Sequence, residues 1–156
     1  MTSDFAAGRA KRVRTAVILG ALWVTAFTLA LFLLPYLEQI KDTTWNSVPY
    51  AIGRAMICPA FYGLTAAFFA SLLAIRGDFR IESRTGRTVL LALGFALVAF
   101  YYYFVLLPYY LPGGSFFFDH FDVLWLRLYE TPALFYIPGA LLFCGFNRKP
   151  SAKRRE

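Results

Sequence analysis

Three ionisable residues fall inside apolar stretches of this chain. Arg54 and Arg127 each stand five residues before a Pro-Ala pair, Pro59-Ala60 and Pro132-Ala133, about one turn inside the end of an apolar run. Glu130 follows Arg127 by three residues, which on a helix places the two on one face, with Thr131 beside it. Charges of this kind facing lipid cost about 2.5 to 3.5 kcal/mol at the bilayer centre and less near its surface, so they are expected to turn inward. A buried Glu needs a partner or stays protonated. Arg54, on a neighbouring helix, is the attractive partner, which leaves one arginine whose planar fork suits a carboxylate or a phosphate. The plain alternative is snorkelling, in which each long Arg lifts its guanidinium to the headgroups.

A second group, Asp119, His120 and Asp122, follows the turn Pro112, Gly113, Gly114. Imidazole with carboxylates suits several divalent ions. Here there is one His, and Phe116, Phe117, Phe118 and Phe121 are interleaved with the acids, so the expectation is a loop that dips rings into the interface while its acids stay wet. Tyr109, Tyr110 and Trp125 extend the same aromatic belt. No metal site and no cofactor is expected. The sequence has no Ser, His and Asp constellation, paired catalytic acids, glycine-rich phosphate loop, HExxH or CxxC, and it reads as a non-enzyme. Cys58 and Cys144 sit at depths too different for a disulfide. Span one has no acidic residue before Glu38 at its outer end, which argues against a small proton-coupled exporter.

What must position these residues is a membrane domain. With 59% hydrophobic residues, 19% aromatics and a mean hydropathy of +0.55, a chain of 156 residues carries more apolar surface than a soluble domain of that size can hide. Four stretches, about 15–37, 50–75, 88–111 and 123–146, approach the ~20 residues needed to cross a bilayer. The runs are continuous rather than alternating, which predicts helices and not a barrel. The whole chain, 1–156, reads as a single integral membrane domain with basic tails at 1–13 and 150–156. Basic residues before an apolar segment resemble a signal peptide, but the run is long and no small-residue cleavage site follows it, so an uncleaved first span is expected.

The two halves match. Residues 14–76 align without a gap on 87–149, with 12 identities in 63 positions where composition alone would give roughly five. The pairs include Arg14 with Arg87, Leu33-Leu34-Pro35-Tyr36 with Leu106-Leu107-Pro108-Tyr109, Arg54 with Arg127, and Pro59-Ala60 with Pro132-Ala133. The predicted fold is an all-α membrane protein: a four-transmembrane-helix bundle, a tandem duplication of a two-helix hairpin, with a parallel pseudo-twofold repeat along the membrane normal. The paired prolines predict a shared bend, and helices splayed in their outer halves would form an outward-facing vestibule. On span two, Ala60, Gly63, Ala67, Ala70 or Ser71, and Ala74 form a small-residue face that marks it as the most enclosed helix.

Of the 16 Lys and Arg, 13 lie in the N-terminal tail, the central loop and the C-terminal tail, leaving Lys41, Arg54 and Arg127 on the other side. The positive-inside rule then puts both termini in the cytoplasm and the loops near 38–49 and 112–122 outside, in the cytoplasmic membrane if the source is bacterial. The net charge of +7 is read as topology, with no nucleic-acid partner; the basic rims would attract anionic lipids at about 1 kcal/mol per residue. The expected role is a structural or accessory subunit beside a larger membrane-protein partner. The alternative is a small transporter or lipid-handling protein taking an anionic group in the vestibule around Arg54, Arg127 and Glu130, and a homo-oligomer is compatible with either role.

Overall fold

A backbone immersed in lipid has no water to bond and must satisfy its N–H and C=O groups within helices. The computed structural model describes residues 2–76, 83–110 and 126–147, and it contains no strand among them. Helix α1 (Thr2–Thr44), α2 (Val48–Arg76) and α3 (Arg84–Tyr110) are each long and apolar enough to cross a membrane.

Helix α1 exceeds the expected span of 15–37 at both ends. Its 43 residues make a rod of about 65 Å, roughly twice the hydrocarbon thickness. The basic segment expected as a tail is helical. At the far end, the Thr43 and Thr44 hydroxyls donate to the carbonyls of Gln39 and Ile40 at 2.9 and 2.7 Å, and Lys41 Nζ lies 3.7 Å from the Glu38 carboxylate and 3.4 Å from that of Asp42. The connection to α2 is therefore only Trp45, Asn46 and Ser47, which corrects the longer loop expected near 38–49. Trp45 is left-handed, at φ 57°, and 93% exposed. Asn46 Oδ1 accepts a hydrogen bond from the Val48 N–H at 3.1 Å and so satisfies an open donor at the start of α2.

A continuous fourth span over 123–146 is the second expectation to be corrected. Residues 126–130 are helical, Thr131 leaves the helix at φ −114° and ψ 59°, Pro132–Phe135 form a 3₁₀ turn, and α4 (Tyr136–Phe146) follows. Proline has no N–H to donate, and its ring pushes the preceding residue out of helical geometry. Pro59, its partner in the repeat alignment, is fully buried inside an unbroken α2. The two prolines thus do different things. Helix α2 is packed on two sides, against α1 and against α4 with its 3₁₀ turn, and it continues through the proline.

The helices pack as a row: α1 on α2, α2 on α4, and α4 on α3, with only light contact between α2 and α3. That light contact lies in the buried cluster of Ala55, Tyr101, Val105 and Phe135, ringed by Tyr62, Val98, Tyr102, Leu128 and Tyr129. The middle of the row is a close approach of backbones. A Cβ added to Gly139 would lie 2.7 Å from Gly63 Cα, closer than side chains tolerate, so only glycine allows α2 and α4 to cross here.

Candidate functional site

The far end of the row carries the charged residues singled out by the sequence. Arg54, half-buried on α2, holds its guanidinium carbon 4.8 Å from the centroid of the Tyr129 ring. Lys41 Nζ sits 4.9 Å over the Tyr50 ring in the same region. A cation over a ring contributes about 0.5 to 2 kcal/mol, more as water is excluded. Arg127 and Glu130 lie on the helical turn 126–130 with exposed side chains. The Arg127 carbonyl accepts from the Thr131 N–H at 3.0 Å, and the chain leaves the helix there. Among the described residues, no ion pair joins Arg54, Arg127 and Glu130. Arg54 meets this segment through the Tyr129 ring. Sequence reasoning missed Tyr129 because it matched charge with charge, although an aromatic two residues after Arg127 was visible.

Asp119, His120 and Asp122 lie outside the described residues. Within those described, no three His, Cys, Asp or Glu side chains are grouped to hold a metal ion. Cys58 and Cys144 are both free thiols.

The larger feature lies at the opposite, basic end. Between α1, α2 and α4 runs a cavity of about 490 Å³, within the roughly 300 to 1,000 Å³ of ordinary ligand sites. Its floor is the small-residue face of α2, from Pro59 and Ala60 through Gly63, Ala67 and Ser71 to Ala74. Tyr102, Val98 and Phe135 close one end; Lys11, Arg12, Thr15 and Asn147 stand at the other. Ser71 is buried, and its hydroxyl donates to the Phe68 carbonyl at 2.6 Å, so the floor presents little unmet polarity. Arg12 is anchored at the rim: Nη1 donates to the Ala74 carbonyl at 3.1 Å and Nε to the Gly8 carbonyl at 3.4 Å. The face read from sequence as a helix-packing surface is thus partly a packing surface and partly a floor. Large rings pack α1 on α2 beside it. Trp23 of α1 stacks on Phe61 and Phe68 of α2 at 6.2 and 5.8 Å, with its indole N–H donating to Thr65 Oγ1 at 2.8 Å.

The second hairpin has a counterpart of the Arg12 contact. Arg87, near the start of α3, donates from Nε to the Gly145 carbonyl at the end of α4, at 3.2 Å. In each hairpin an arginine from the leading helix thus meets the terminal carbonyls of the returning one, where the helix dipole is negative. Chemically, the cavity can hold an elongated apolar body with a negative group at the basic rim.

No protein-family model matches this chain, and the comparisons with curated proteins and with solved structures found no match.

Proposed function

We propose that the chain is a four-span membrane protein built from two copies of one hairpin, with both termini cytoplasmic, and that it serves as a structural or accessory subunit of a larger membrane complex. Helix α4, its 3₁₀ turn and the helical residues 126–130 make up the fourth, broken span. The repeat is supported by the order of the row, in which the equivalent helices α2 and α4 are central and α1 and α3 flank them. The twin arginine-to-carbonyl contacts support it as well, since Arg87 aligns with Arg14, two residues from Arg12. So does the crossing at Gly63 and Gly139, because Gly139 aligns with Ala66, less than one turn from Gly63.

The single-file order is the observation that carries the subunit reading. A helix at the flank of such an order leaves most of its apolar surface uncovered. Among the residues of α1 whose burial is described, the buried ones are Ala16 and Ala26, while Val17, Ile18, Leu22, Val24, Leu29 and Phe32 stay exposed around it. Such a flank adds contact area to a neighbouring membrane protein, where close packing rather than the hydrophobic effect drives association. Purification in mild detergent tests this. One larger integral membrane protein should co-purify at fixed stoichiometry; recovery of the chain alone, or only with copies of itself, overturns the proposal.

The alternative, a small transporter or lipid-handling protein, draws its support from the cavity along α2 rather than from Arg54, Arg127 and Glu130.

A further inference from the structure

We infer that the cavity between α1, α2 and α4 is a binding site for one anionic phospholipid, with its hydrocarbon along the small-residue face of α2 and its phosphate at Lys11 and Arg12. The inference rests on the lipid-handling reading of this cavity and is independent of the accessory role.

Shape suits a hydrocarbon chain. From Ala74 to Pro59 the floor runs 15 helical steps of α2, about 22 Å at 1.5 Å per residue. Its lining along that length is mostly small and apolar, and hydrocarbon carbons pack at about 3.5 to 4.0 Å from such neighbours. The slot therefore has the length of most of one leaflet.

Charge sets the headgroup. Lys11 and Arg12 lie about one turn before the apolar span that begins near residue 15, which is headgroup depth when the slot lies among the acyl chains. Among the described residues, no acidic side chain lines the cavity. Arg12 is held at the rim by the Ala74 and Gly8 carbonyls, which presents its cationic plane at low entropic cost, and Lys11 adds a second, exposed positive charge. Two cations over an apolar slot suit a phosphate whose headgroup adds no compensating positive charge. A zwitterionic lipid would set its own cation against them.

The test uses the full chain in nanodiscs of equal phosphatidylglycerol and phosphatidylcholine, with retained lipid counted by native mass spectrometry after release. The wild type should keep about one lipid per chain, with phosphatidylglycerol enriched at least fivefold. Ala67→Phe, which fills the floor, should lose it. Lys11→Gln should retain a lipid while the enrichment falls at least threefold. Because Ala67→Phe also stresses packing, a second measurement uses the wild type alone, with a phosphatidylglycerol carrying a diazirine in its acyl chain. Photolabelling should concentrate on α2 residues 59–74 and on α4. Equal retention of the two lipids, or labelling confined to outward residues such as Val17, Ile18 and Leu29, overturns the assignment. Co-purification of a protein partner does not bear on it, so the two proposals fail separately.

Discussion

In the first hairpin, α1 and α2 are joined by rings: Trp23 lies between Phe27, Phe61 and Phe68, and its indole N–H is bonded to Thr65. In the second, α3 and α4 are joined by leucines seated on glycines, Leu142 over Gly94 and Leu91 over Gly145, where an added Cβ would come within 2.8 and 2.6 Å of the leucine Cγ. The first hairpin has one seat of the second kind, Leu37 against Gly53 at its far end, so the two hairpins differ in the stretch that the cavity adjoins. Both hairpins nonetheless keep an arginine on the terminal carbonyls of the returning helix, so the ends are tied alike while the middles diverge. The polar cluster divides in the same way. Arg54 has a ring above it, and Arg127, its counterpart in the alignment, is exposed on a turn that proline cuts short.

The comparison can be broken most forcefully where the hairpins meet. Gly139→Val should cost about 3 kcal/mol or more in a mixed-micelle unfolding titration, because the new side chain strikes the Gly63 backbone, which cannot swing aside. Gly63→Ala, whose Cβ would find its nearest neighbour at 3.7 Å, should cost less than about 1 kcal/mol. Equal effects would mean that the crossing is elsewhere. Next, Gly145→Ala should lose about 1 to 3 kcal/mol, and Leu91→Ala should relieve part of that loss, since the obstacle is a side chain; additive losses would count against leucine-on-glycine packing. In the first hairpin, Thr65→Val should cost about 0.6 to 1.7 kcal/mol, and combining it with Trp23→Phe should be less than additive, because both remove the Trp23–Thr65 hydrogen bond, while Thr65→Val also removes the bond that its hydroxyl donates to the Phe61 carbonyl. Smallest in scale, Arg54→Ala should cost about 0.5 to 2 kcal/mol and Tyr129→Leu a similar amount, with Lys41→Ala, whose partners are wet, at most about 0.5. If Glu130→Gln proved more costly than Tyr129→Leu, Arg54 would have an acidic partner after all.

The three long apolar helices were legible because uninterrupted apolar runs of about twenty residues admit few other structures in lipid. The ends of α1 were not. Lys and Arg mark a tail for topology, yet they are good helix formers, and nothing between Thr2 and Arg14 stops a helix. The break at Thr131 was hidden for a different reason. Pro59 and Pro132 share the same following alanine and the same arginine five residues before, and only the packing on both sides of α2 distinguishes them. The small-residue face of α2 was correctly read as a place where something approaches closely. Sequence could not tell that Gly63 meets a helix while Ala67 and Ser71 also floor a cavity, because that depends on where α1 and α4 lie against α2. Arg54 was found by its charge, and its ring partner was missed by the same habit of matching charges.

The row is the central claim, and the distance between its flanks tests it most directly. With Cys58 and Cys144 replaced by alanine, spin labels at Val17 on α1 and Leu93 on α3, both exposed, can be measured in nanodiscs by double electron-electron resonance. Neighbouring helix axes lie about 8 to 10 Å apart, so a row with α2 and α4 between the labels predicts roughly 20 to 30 Å between the two backbones. A separation of about 10 to 15 Å would place α1 against α3 in a closed bundle, and would contradict both the row and the open cavity along α2.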